Sequence, residues 1–127
     1  MTLETLAFFD RDPAALPLYE AFREALLARH PESQIKIQRT QISFTDGCGF
    51  AFVSHPPRKV PGGILVSLGL PARLESPRVF AASEPYPGRW THHILLRGQN
   101  EIDGELLDWL EAAHEFAVER YVRRHRR

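Results

Sequence analysis

Apolar residues recur at every second position through the middle of this chain and at every third or fourth position near its two ends. The clearest case is Ile64, Val66, Leu68 and Leu70, which alternate with Leu65, Ser67 and Gly69. Ile35 and Ile37, Ile42 and Phe44, Phe50 and Phe52, and Ile94 and Leu96 follow the same rule. A period of two is the pleat of a strand and a period near 3.6 is the turn of a helix, so the order reads helix, strands, helix. The expected fold class is α+β: about five mainly antiparallel strands, with N- and C-terminal helices packed on one face.

Local signals refine that order. Leu3 to Phe9 suit a short helix or turn, and Asp12-Pro13 reads as an N-cap followed by proline at the first helical position. Leu18, Tyr19, Phe22, Ala25 and Leu26 then form an apolar stripe that ends at His30-Pro31. Between Ile37 and Ile42 the apolar parity switches from odd to even. The expectation is one long strand bulged near Arg39-Thr40, because no Gly or Asn is present there to turn a hairpin. Asp46-Gly47 does carry a hairpin signal. Residues 71–90 hold four prolines and are expected to be mostly irregular, with a short edge strand at Arg78 to Ala81. Thr91 to Arg97 is the last expected strand. In the closing helix Asp103 is the cap, and Leu106, Leu110, Ala113 and Ala117 form the buried stripe, widened by Trp109 and Phe116.

At 127 residues the chain is read as a single domain, 1–127, with 120–127 as a basic C-terminal tail. The lone Cys48 excludes an internal disulfide and a cysteine-paired zinc site. Apolar runs are too short for a membrane span, and Met1 to Asp10 lacks a basic leader region, so a cytoplasmic protein with no membrane partner is expected. The 16 basic and 16 acidic residues cancel, yet five arginines fall in the last eight positions. Residues 1–119 therefore hold 11 basic against 16 acidic groups, a net of −5. Such a tail is either favourable charge at a helix C-terminus or a phosphate-binding element.

Strand parity also divides the sheet into two faces. Ile35, Ile37, Ile42, Phe44, Phe50, Phe52, Ile64, Val66, Leu68, Ile94 and Leu96 should lie under the helices. The opposite face then carries Lys36, Gln38, Gln41, Ser43, Ala51, Val53, Leu65, Ser67, Gly69, His93, Leu95 and Arg97. Its small and polar residues, flanked by the 71–90 loop with Phe80, Tyr86 and Trp90, suggest a shallow pocket with aromatic walls. A sheet-to-sheet homodimer and a plain solvated face are the alternatives.

Candidate chemistry follows from those faces. His92 and His93 are adjacent on a strand and point to opposite sides, which argues against one shared metal ion. Ser43 and Ser67 share the face of His93, but no local motif makes them nucleophiles, and no glycine-rich phosphate loop is present. A binding module is favoured over an enzyme, and no cofactor is expected. Arg39, Arg78 and Arg97, with Gln41 and His93, form a set suited to a carboxylate, phosphate or amide-bearing ligand. Trp90 would add stacking. Because the chain has 14 Arg and only two Lys, part of that arginine content reflects composition alone.

Several short motifs run in order along nearly the whole chain: Thr40-Gln41-Ile42-Ser43-Phe44, Ser76-Pro77-Arg78, Trp90-Thr91-His92-His93, and Ile102-Asp103 through Trp109-Leu110 and Ala113. With them the sequence resembles a small bacterial family of unknown function, found alone or appended to larger proteins, some carrying nuclease-like or transport labels. The resemblance places Gln41, Arg78, Trp90, His92 and His93 in family-like motifs and puts Arg39 where lysine is common. The basic tail looks specific to this chain. The expectation is a ligand- or protein-binding module using the open sheet face and the 71–90 loop, with Gln41, Arg78, Trp90, His93, Arg39 and Arg97 as contacts. The alternatives are a nucleic-acid-associated accessory domain using the tail, and an enzyme acting on an unidentified substrate.

Overall fold

The computed structural model describes residues 2–125. Helix α1 (Leu3–Phe8) is capped by the Thr2 hydroxyl, which accepts from the Thr5 N–H at 3.1 Å. A short 3₁₀ turn (Pro13–Ala15) leads into α2 (Leu16–Arg29), which buries Leu18, Tyr19, Phe22 and Leu26 as its stripe requires. Six strands follow: β1 (Gln34–Ile37), β2 (Ile42–Thr45), β3 (Gly49–Ser54), β4 (Ile64–Leu70), β5 (Val79–Tyr86) and β6 (Arg89–Leu96). Helix α3 (Gly104–His125) closes the chain. The strands form one antiparallel sheet in the order β1-β2-β3-β4-β6-β5. Phe22, Leu26, Ile42, Phe44, Ile64, Val66, Leu96 and Leu106 are fully buried between the sheet and the helices, so the architecture is α+β as expected.

Four local expectations change. The segment from Gln34 to Thr45 is a hairpin rather than one bulged strand: Ile37 pairs with Ile42 and Ile35 with Phe44. Directly opposed residues share a face, so this pairing itself converts odd parity to even. The Gln38 N–H donates to the Gln41 carbonyl at 2.9 Å across the turn, and no residue there has a positive φ, so neither Gly nor Asn is needed. In the Asp46 hairpin Gly47 takes φ +76°, as its sequence signal implies, and the ladder slips between Phe44 and Thr45. That bulge sends Phe50, Ala51 and Val53 into the core and turns Phe52 to the opposite face, the reverse of the parity expected for 51–53.

Half of residues 71–90 is strand, with 71–78 irregular as expected and the edge strand running to Tyr86 instead of ending at Ala81. Tyr86 pairs with Arg89 around Gly88, at φ +78°, and β5 lies at the sheet edge, where Pro85 interrupts no inner ladder. Asp12 does not cap the following turn; its carboxylate accepts from the Gly62 N–H at 3.0 Å and ties the β3–β4 loop to the start of α2. Asp103 does cap α3, accepting from the Leu106 N–H at 3.0 Å. No helix of the described residues is long and apolar enough to cross a membrane.

Candidate functional site

One row of cross-strand neighbours crosses the uncovered face of the sheet: Lys36, Ser43, Phe52, Ser67, His93 and Ala81, one residue from each strand. Lys36, Ser43 and Phe52 form the floor of a cleft of about 840 Å³ at the end of the sheet where β2 turns into β3. Two glycines shape that floor. A Cβ on Gly49 would lie 2.8 Å from the tip of the Phe52 ring, so the missing side chain lets that ring lie down over β3. The Arg89 side chain crosses above Gly69, with Nε 3.9 Å from where a Cβ would stand.

The walls come from two elements that overrun the sheet. The β5–β6 hairpin brings Tyr86 and Arg89, with the Arg89 guanidinium 6.0 Å from the centre of the Tyr86 ring. Helix α3 has 22 residues, about 33 Å at 1.5 Å per residue, and its last turns project past the Asp46 turn. There Tyr121 approaches Gly47, and Arg120, Arg123 and Arg124 reach the cleft. The helix is held at this point by His114, whose Nε2–H donates to the Asp46 carboxylate at 2.8 Å and whose ring packs against His30 and Phe50.

The electrostatics are one-sided. Among the described residues Lys36, Arg89, Arg120 and Arg124 have no ion-pair partner, and Arg123 has only Glu119, at 3.5 Å. Burial, then the positive charges of Arg89, Arg124 and Arg123, hold Arg120 below the ordinary guanidinium range. Arg89 Nε is buried and, among the described residues, has no hydrogen-bond partner. Cations gathered in this way leave an unfilled demand for an anion.

The six residues expected to act together are dispersed. His93 does face the open side, its Nδ1 2.7 Å from the Ser67 hydroxyl, and burial holds its pKa below the usual histidine range. His92 is buried on the helix side, where its Nε2 accepts from the Leu74 N–H at 2.9 Å, so the two rings cannot share one ion. Among the described residues no cluster of three or more His, Cys, Asp or Glu side chains is placed to hold a metal. Gln41 lies nearest the cleft: its amide donates to the Ser43 hydroxyl at 3.3 Å, which in turn donates to Gln38 at 3.5 Å.

Trp90 shares the helix-side face of β6 with His92 and lies 5.8 Å from Arg73. Arg39 is exposed at the β1–β2 turn, and Arg97 is exposed beyond β6. Arg78 is already engaged by its own chain: it reaches Asp103 at 2.9 Å, Glu105 at 2.9 Å and the Glu101 carbonyl at 2.7 Å, with its guanidinium over Trp109. Sequence reasoning placed Lys36 and Ser43 on the open face and Tyr86 in its aromatic wall, but left Phe52, Arg89 and Arg120 out of the site. The Pro87-Gly88 pair between Tyr86 and Arg89 was the available hairpin signal, and the unbroken helical run from Gly104 the signal for an overhanging arm.

No curated protein and no solved structure matches this chain. A family model matches residues 7–117, which contain the sheet, its hairpins and most of α3 but end before Arg120. That span covers most of the sequence, and the chain belongs to DUF5655, a family of domains of unknown function.

Proposed function

We propose that this protein is a binding module for an anionic ligand, seated between the uncovered face of the sheet and the last turns of α3. The observation that carries this reading is the convergence of Lys36, Arg89, Arg120, Arg123 and Arg124 on one cleft, with a single carboxylate paired among them. Gathering like charges on a fold costs free energy, and a bound anion returns it. Arginine presents a planar fork of donors to phosphate or carboxylate, and Ser43 and Gln38 add neutral hydrogen-bonding groups on the floor. The site keeps the open sheet face anticipated from strand parity but lies at its β2–β3 end. It also draws the basic C-terminal arginines into the same surface.

The test is titration of the isotopically labelled protein with sodium pyrophosphate at constant ionic strength, followed by amide chemical shifts. Shifts should concentrate at Ser43, Arg89, Arg120 and Tyr121 and saturate. Equal, non-saturating shifts at Arg39, Arg58 and Arg97 would show only diffuse ion screening and would remove the proposal.

A further inference from the structure

We infer that the ligand of this cleft is single-stranded nucleic acid, an inference that rests on the anion-binding reading and adds the class of ligand. Two features of the walls select it. Arg120, Arg123 and Arg124 stand at one and the same side of a helix, spread over about 6 Å of its axis at 1.5 Å per residue. Such a row tracks a chain of phosphates, whereas a lone phosphate calls for donors aimed at one point. Facing the row are the rings of Tyr86, 61% exposed, and Phe52, laid flat by the glycine at position 49. An exposed ring such as Tyr86, with the half-buried Phe52 on the floor and arginines beside it, is the pattern on which unpaired bases stack.

A duplex fits neither the rings nor the charge of the body. Paired bases in a double helix have both faces occupied by their neighbours, so Tyr86 and Phe52 would gain nothing from it. The net −5 of residues 1–119 would also repel the phosphates a duplex carries beyond the cleft. An acidic peptide could satisfy the arginines but offers the rings no stacking partner. Tyr121, at the mouth beside Gly47, already has its ring stacked on that of His125 at 4.2 Å, so Tyr86 is the ring left to a base.

The experiment is fluorescence anisotropy of a labelled ten-residue oligothymidylate with the whole chain, competed by an equal-length duplex, inorganic polyphosphate and polyglutamate. The oligothymidylate should bind at least tenfold more tightly than any competitor. Affinity should fall with salt at a logarithmic slope of about −2 to −3, as expected when three or four cations meet single-stranded phosphates. Tyr86→Ala should weaken binding by about tenfold, since stacking on one ring contributes about 1–3 kcal/mol. Tyr86→Phe, which keeps the stacking face, should restore it. Tyr86 is exposed, so a thermal melt of each variant should match the parent. If polyphosphate or polyglutamate competes equally and Tyr86→Ala binds normally, the anion site stands and the nucleic-acid assignment falls. If neither the oligothymidylate nor polyphosphate binds at low salt, both fall.

Discussion

At the start of α3, Arg78, in the turn just before β5, reaches across to Asp103, Glu105 and the Glu101 carbonyl, with Trp109 beneath its guanidinium. At the other end, Arg120, Arg123 and Arg124 have among the described residues one carboxylate in an ion pair, that of Glu119. The same residue type thus serves two purposes on one helix. Where both terminal nitrogens meet acceptors on the same chain, arginine fastens an edge strand and a helix cap together. Where the donors converge without acceptors, the fold bears a repulsion that only a partner relieves. A count of arginines cannot separate these cases; their neighbours can.

The sharpest way to break this comparison is to remove one arginine from each end. Arg78→Ala should lower stability by about 2 kcal/mol, since hydrogen bonds between charged groups contribute about 1.5–3 kcal/mol each and its partners are half-exposed and therefore partly screened. Its effect on oligothymidylate affinity should stay within a factor of about two. Arg120→Ala should do the opposite, costing about tenfold in affinity while leaving stability within about 0.5 kcal/mol. Urea unfolding and anisotropy on both variants decide it. A loss of affinity in Arg78→Ala matching that in Arg120→Ala would show that the two ends do not differ in role.

Acidity should separate the ends next. Asp103 is held below the ordinary carboxylate range, chiefly by its hydrogen bond from Arg78, so the stability it contributes is present above about pH 3.8 and lost as pH falls further. His30, near the middle of α3, is held below the ordinary histidine range by burial and then by the neighbouring His114 charge. Buried His92 and half-buried His93 are lowered as well, in each case by desolvation first. For these histidines the unfolded chain takes up protons that the folded chain refuses. Their stability is therefore complete above about pH 6.5 and declines as pH falls below it toward the folded-state values. Thermal melts at about pH 7.5, 6 and 5 should show the midpoint dropping well before the carboxylates titrate. His92→Gln, whose amide oxygen can still accept from the Leu74 N–H, should flatten that dependence. A midpoint constant across this range would show that none of the three rings is protonated more readily on unfolding.

Much of the fold was legible from periodicity alone, because burial on one face writes itself into the sequence as a repeat. The α2 stripe, the alternation of β4 and the cap at Asp103 were all visible in that way. The β1–β2 turn was misread because the parity switch was attributed to an extra residue, although a two-residue turn produces the same switch. In the 71–90 segment the irregular start and the edge strand were both legible, but the strand runs on to Tyr86 because a sheet edge accommodates Pro85. The site was harder to read. His93 was assigned to the open face correctly, but Arg78 was placed there as a ligand contact when it is engaged by acidic residues more than 20 positions later. Partners that distant in sequence leave no local pattern. The length of α3 is legible in its unbroken helical run, but that its end brings Arg120 beside Arg89 is set by the tertiary path of the chain.

Glu119 offers the finest adjustment of the comparison. It is the carboxylate paired with an arginine of the arm, bonded to Arg123 one helical turn away with both side chains mostly exposed. An exposed pair of this spacing contributes only about 0.3–0.5 kcal/mol to the helix, so Glu119→Gln should barely move the unfolding midpoint. Its effect on the cleft should have the other sign. Releasing Arg123 from its partner adds one cation to those already facing the ligand, so oligothymidylate affinity should rise about twofold and the salt slope steepen by up to about 0.7. The change in slope separates this from a general effect, because a variant that only loosened the helix would weaken binding at every salt concentration. Unchanged affinity and slope would place Arg123 outside the contact surface and confine the anion site to Arg89, Arg120 and Arg124.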